Sequence, residues 1–184
     1  MIICNLTRNL LRTDSCGYSL PSVVSIYLIN YDDITSSAIT VTEGTGTSEG
    51  CDEITAINLG DKKAYKIVPT KDSASFEDAL VVADNGNKYR SVTLTFNVAG
   101  VYNACMKGSL DALSLGQYMA VVATADGNYI AYGHLSPLEA ETATFAGGSD
   151  TNGVQIVLSG NIAESGIPLS ADAVEDLLGF VPTA

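Results

Sequence analysis

The sequence has no tryptophan, a single histidine and little charge. Of its 184 residues, 9 are Lys or Arg and 21 are Asp or Glu, so 16% are charged, against about 25% in an average soluble domain. Without tryptophan, and with only four Phe, the chain is poorly equipped to stack on sugars, so a carbohydrate-binding β-sandwich is the remotest non-catalytic reading. One histidine, His134, leaves little material for a nucleophile–base–acid system, and a structural or surface role is expected for it. Cations stop at Lys107, and Gly108 to Ala184 holds neither Lys nor Arg. The net charge is −12 and the pI about 4.2. Such a chain lacks the Lys and Arg that displace counterions from nucleic acid or bind an anionic membrane surface. No apolar run reaches the length needed to cross a bilayer.

Paired cysteines are missing too. Cys4, Cys16, Cys51 and Cys105 form no CxxC, so a zinc ribbon or redox motif is not expected. They read as free thiols in a reducing cytoplasm. Met1 to Leu11 is apolar but broken by Asn5, Arg8 and Asn9, unlike a secretory signal. No cofactor or metal is expected. Asp126-Gly127-Asn128 and Asp150-Thr151-Asn152-Gly153 lack the ligand spacing of a calcium loop and read as turns. Gly44-Thr45-Gly46 lacks the lysine and following helix of a phosphate loop. Glu77 and Asp78 are adjacent on an expected strand, so they point to opposite faces and cannot share an acid–base site. Solvated charge is the expectation for both, and the chain reads as a non-enzyme.

Hydrophobic residues nevertheless make up 46% of the chain, enough for a packed core. Val23 to Ile29 is β-branched and aromatic, as in a buried strand. Ser75–Val82 and Lys88–Val98 flank Asp84-Asn85-Gly86-Asn87, which predicts a long hairpin with a tight Asn-Gly turn. In the return strand Val92, Leu94, Phe96 and Val98 share one face, and Ser91, Thr93, Thr95 and Asn97 share the other. Val101, Tyr102, Cys105, Met106, Leu110 and Leu113 form one apolar stripe of a helix ending near Gly116. Tyr118–Thr124 and Tyr129–Gly133 predict a second hairpin around Asp126-Gly127. Glu141–Phe145 and Gly153–Leu158 predict two more strands. Near the end, Ser170 is a good N-cap and Asp172 suits a first helical turn. Val174, Leu177, Leu178 and Phe180 would dock this short helix, which cannot stand alone.

The fold expected is mainly β: an antiparallel sandwich or barrel with a long protruding hairpin, one packed helix and a short C-terminal helix. Residues 1–22 read as an N-terminal arm, 23–160 as the β domain and 161–184 as a C-terminal extension. The order of elements over Val23 to Gly160 resembles that of phage tail tube proteins. The resemblance is carried by the Ser75–Val98 hairpin, the Val101–Leu115 helix and the strand Gly153–Gly160. It implies a virion protein, assembled in the bacterial cytoplasm, that forms stacked rings with itself and with other virion proteins. DNA would pass through as cargo, without specific binding and without a membrane partner. The hairpin would line the lumen and join neighbouring subunits through Glu77, Asp84, Asn85, Gly86, Ser91, Thr93, Thr95 and Asn97. The segment Ser170–Pro182 is similar to a helix-Leu-Gly-aromatic-x-Pro element of phage fibre proteins, which leaves a capsid decoration, neck or head-fibre protein as the alternative.

Overall fold

The computed structural model describes residues 22–44, 51–99, 104–147 and 152–182. The N-terminal arm up to residue 21 and the centre of the Thr42–Asp52 loop lie outside these residues. So do Val101 and Tyr102 of the expected helical stripe and residues 148–151.

The strands are β1 (Val23–Asn30), β2 (Ile39–Thr42), β3 (Glu53–Ile57), β4 (Ala64–Ile67), β5 (Ser75–Val82), β6 (Lys88–Val98), β7 (Gln117–Thr124), β8 (Tyr129–Tyr132), β9 (Leu138–Gly147), β10 (Asn152–Ile162) and β11 (Ile167–Pro168). Two helices, α1 (Ala104–Leu115) and α2 (Ala171–Gly179), complete the described chain. The fold is mainly β and antiparallel, as the composition and alternation imply, and it forms facing sheets with no closed barrel. One layer runs β4-β1-β7-β8-β11 and the other β9-β10-β6-β5. They join at a corner, where Gln117 and Tyr118 of β7 pair with Glu139 and Leu138 of β9.

Strands β1 and β7 are apolar on both faces, and each face meets a different core. Ile26, Leu28, Ala120 and Val122 pack with Val92, Leu94, Phe96, Val154, Ile156 and Leu158 between the two layers. Tyr27, Ile29, Met119, Val121 and Ala123 face the other way, onto Ile39, Ile54 and Ile57 of the β2–β3 ribbon and Ala173 and Leu177 of α2. The molecule is therefore three layers deep. An unbroken apolar run such as Ile26–Ile29 is what a strand covered on both sides requires.

The second core is closed by the C-terminal helix. The Ser170 hydroxyl accepts from Ala173 N, 3.2 Å away, as an N-cap. Asp176 accepts from the Ile57 amide at 3.1 Å, and Ser170 N donates to Ile54 O at 2.9 Å. Of the expected docking residues, Leu177 is fully buried and Val174 and Phe180 are half-buried. Leu178 is 45% exposed, and Ala173 takes the buried position instead. A nine-residue helix turns a narrow stripe inward, and Ala173 and Leu177, four apart, lie on it. Leu178, one step round the helix, points away.

Both hairpin turns differ from the expected two-residue form. Ala83 N bonds Asn87 O, and Thr124 N bonds Asn128 O, each enclosing three residues. Within each turn positive φ falls at the third residue, Gly86 (83°) and Gly127 (85°), and not at Asn85 or Asp126. This is a type I turn closed by a left-handed glycine, in which the Asn or Asp stays in an ordinary region. Helix α1 also departs from expectation. Met106, Leu110 and Leu113 are half-buried, while Cys105 and Leu115 face solvent. The helix lies against β9 and contributes no fully buried residue.

Replacing Leu177 by Ala should destabilise the protein by about 2–5 kcal/mol, as a buried leucine deletion does. Leu178→Ala should stay within about 0.5 kcal/mol, as for ordinary surface positions. Urea unfolding followed by circular dichroism measures both.

Candidate functional site

The most distinctive surface is the outer face of the β9-β10-β6-β5 layer. Register decides its composition. Thr95 stands between Ser75 and Val157, Thr93 between Glu77 and Ser159, and Ser91 between Ala79 and Asn161. On β9, Thr144 lies opposite Gln155 and Thr142 opposite Val157. Among the described residues of these four strands, the charges on this face are carboxylates, Glu77 and Glu139, with the exposed Glu141 beside them at the bulge of β9. The hairpin's two cations, Lys88 and Arg90, have even numbers like Val92 and Leu94, so they sit on the opposite face. The face is thus a ladder of short neutral side chains with a slight negative bias.

Ser91, Thr93 and Thr95 are half-buried by their cross-strand neighbours, while Glu77 and the tip residues Asp84, Asn85 and Gly86 are exposed. Asn97 is different. Its carbonyl accepts from Thr70 N (2.8 Å), Thr70 Oγ1 (2.9 Å) and Ser73 Oγ (3.3 Å). Its side-chain Oδ1 is enclosed without a partner. The loop between β4 and β5 is thus tied to this end of the sheet through the Asn97 backbone, and the Asn97 side chain is half-buried on the same face as Ser91, Thr93 and Thr95. Nothing in the alternation of β6 signals that loop.

The layer also has two edges that no described strand completes. β5 pairs only with β6, and β9 pairs with β7 only at Leu138 and Glu139. Towards its tip the β5–β6 hairpin outruns the layer beneath it. Leu80 and Val82 point inward but remain 56% and 57% exposed. At the opposite end of the sheet, Phe145 of β9 is 45% exposed.

Where the hairpin does meet the other layer, it is clamped. The expectation that Asp78 is solvated is overturned. Asp78 Oδ1 accepts from Arg90 Nε at 2.7 Å, Asp78 O from Arg90 Nη2 at 3.0 Å, and Asp78 Oδ2 from Gly166 N at 3.2 Å. Period-two alternation turns Asp78 inward and leaves Glu77 outside. What alternation does not supply is the register that sets Arg90 diagonally across from Asp78, which makes an inward carboxylate tolerable. Phe76 packs on Tyr132 with ring centroids 5.8 Å apart. Gly166 permits this approach, since a Cβ there would lie 2.4 Å from the Tyr132 ring. Burial pushes the Tyr132 hydroxyl up to about 12, and the Asp78 charge acts in the same sense. Beside this clamp, His134 Nδ1 lies 3.5 Å from Glu164 Oε1, too far for a good hydrogen bond, and is enclosed without one.

Asp33 of the Asp32-Asp33 pair binds Lys62 at 2.8 Å, and hydrogen bonds from Lys62 and Asn30 hold its carboxyl below the usual range. A groove of acids lies between the β2–β3 ribbon and the β10–β11 crossover, with Glu43, Asp52, Glu53 and Glu164 on its walls. Among the described residues no group of three His, Cys, Asp or Glu is placed to hold a metal ion, and no helix is long and apolar enough to cross a membrane.

Comparison with protein-family models, with curated proteins and with solved structures gives no match. The geometry is therefore what any functional reading must rest on.

The Tyr132 shift gives a signed prediction. The folded protein holds the phenol neutral to about pH 12, whereas an unfolded tyrosine ionises near 10.0. Stability from this group is present below pH 10 and lost as the pH rises through 12, because the unfolded chain then binds fewer protons. Tyr132→Phe should flatten the loss of stability between these pH values, measured by urea unfolding at successive alkaline pH.

Proposed function

We propose that this chain is a non-enzymatic structural subunit of a phage virion, most specifically a tail tube protein that closes into rings and stacks. The observation that carries the reading is the β9-β10-β6-β5 layer: one neutral-to-acidic polar face bounded by two edges that no described strand completes. An open edge offers a row of backbone donors and acceptors to another chain. When the two edges of one sheet pair head to tail, copies with a suitable rotation close into a ring, and every edge is used. The ring's inner wall would then be built mainly from Thr, Ser, Asn and Gln, with Ala79, Val81, Tyr89, Val157 and a few carboxylates among them.

Such a wall suits a conduit for double-stranded DNA. Phosphates gain affinity from Lys and Arg through counterion release, so a wall without cations lets the duplex slide. The inward turn of Lys88 and Arg90 supports this reading, since both would otherwise stand among Ser91, Thr93 and Thr95. The low overall charge suits a subunit covered on several sides.

The decoration, neck or head-fibre alternative would use Ser170–Pro182 as an anchor or trimer joint. The position of α2 speaks against it. Ala173 and Leu177 are consumed in the subunit's own core, which leaves that face unavailable to a fibre.

Leu80→Lys/Val82→Lys places two charges beside the β5 edge, a device that blocks strand addition. Negative-stain microscopy of the concentrated wild-type protein should show rings or tubes. The double variant should remain monomeric by analytical ultracentrifugation with an unchanged circular dichroism spectrum. A wild-type protein that stays monomeric at high concentration overturns the proposal.

A further inference from the structure

Four exposed apolar side chains gather at the two ends of β1. Register fixes which residues reach each end. Asn30 lies opposite Tyr118 and Ile29 opposite Ala64, whereas Val23 lies opposite Thr124 and Ile26 opposite Ile67. The turn Tyr31–Asp33 that follows β1 therefore shares one end with the residues just before β7 and those just after β8. The start of β1 shares the other end with the residues after β4.

At the first end Leu115 is 88% exposed and Leu135 58%. The Tyr31 hydroxyl donates to Leu135 O at 3.0 Å, and Leu115 borders the same cleft as Asp32, so both leucines flank the turn after β1. At the second end Val24 is 52% exposed and Val68 62%. Continuing the β1–β4 register sets Val68 across from Ser25, beside Val24. A single exposed leucine is ordinary on any surface. Here a pair stands at each end of one eight-residue strand, about 26 Å long.

We propose that the two ends bind each other between copies, with Leu115 and Leu135 of one chain seated on Val24 and Val68 of the next. This rests on the reading of a subunit that stacks, and it names the contact that stacks it. The two patches are different surfaces at opposite ends, so the contact is heterologous and repeats along a line without closing on itself. Charge selects the same arrangement. Asp32 is exposed beside Leu115, while its neighbour Asp33 is already bound to Lys62 at 2.8 Å. Lys71 is exposed and follows Val68 by three residues. Unlike ends brought together set Asp32 towards Lys71, whereas two like first ends would set Asp32 against Asp32. Asp61 and Lys63 at the first end offset each other. Asp72 and Asp126 also lie at the second end, so apolar burial supplies the attraction and the Asp32–Lys71 pair sets its direction. One such contact is small, but a closed ring repeats it in every subunit, and the contacts then act together.

Leu115→Lys/Leu135→Lys in the full chain tests this. Both side chains stand in solvent, so the variant should fold with an unchanged circular dichroism spectrum. Negative-stain microscopy should show stacks for the wild type and single rings for the variant. The stacked fraction should fall by about tenfold or more, because each junction would bury two unpaired ammonium groups. Stacks that persist in the variant, or wild-type rings that never stack, overturn this inference and leave ring closure standing. A folded variant that forms no rings also overturns it, since the patch then serves ring closure. A wild type that forms neither rings nor stacks overturns both readings. Disulfide trapping adds a second measurement. With Cys4, Cys16, Cys51 and Cys105 replaced by Ser, a Leu135→Cys chain assembled with a Val68→Cys chain should link to it on mild oxidation, read by mass spectrometry of the joined peptides. Neither chain alone should link to itself. A mixed assembly without that link, or a link between two Leu135→Cys chains, overturns the proposal.

Discussion

The double-sided burial of β1 and β7 is the constraint on which the rest of the structure depends. A strand pair with apolar side chains on both faces needs two covers, and one sheet supplies only one. The β9-β10-β6-β5 layer covers the Ile26 and Leu28 side, and the β2–β3 ribbon with α2 covers the Tyr27 and Ile29 side. Remove either and a continuous apolar surface meets water, at about 25 cal/mol for each Å² exposed. The three-layer plan, the crossover from β10 to β11 and the docking of α2 all follow from that requirement.

This arrangement also sets apart what is free. The inner two interfaces are committed to folding, so the outer face of the second layer can be polar without cost to the core. Alternation in β6 serves both ends at once: Val92, Leu94 and Phe96 build the sandwich, while Ser91, Thr93 and Thr95 shape a surface. Asp78 ties the hairpin to the β10–β11 crossover through the Gly166 amide, and its partner Arg90, turned inward with it, is a cation cleared from the polar face. Stability and surface chemistry are here two results of one side-chain orientation.

Much of this is legible in the sequence because it is local. The bounds of β5 and β6, the two faces of β6 and the Ser170 cap follow from period-two alternation and capping chemistry, which depend on neighbours a few residues away. What is not legible is what distant segments do to each other. The apolar run at Ile26–Ile29 announces a buried strand but not that it is covered on both sides by different partners. Asp78 reads as solvated because its partners, Arg90 and the Gly166 amide, are brought to it by the hairpin register and by a crossover 88 residues on. The Thr70–Ser73 loop that binds the Asn97 carbonyl carries no periodic signal, so its position is not legible either. The hairpin turns escape for a subtler reason: Asn-Gly fits two turn types, and only the closing hydrogen bond distinguishes them.

The cover over Tyr27 and Ile29 has a consequence in time. Its pieces come from β2 and β3, early in the chain, and from β11 and α2, more than a hundred residues later. During synthesis the first strands therefore leave the ribosome with one apolar face uncovered, and pairings so distant in sequence form slowly. The sandwich cannot reach its final form until α2, which ends at Gly179, has emerged. The outer sheet therefore gains its full support only after translation has passed α2.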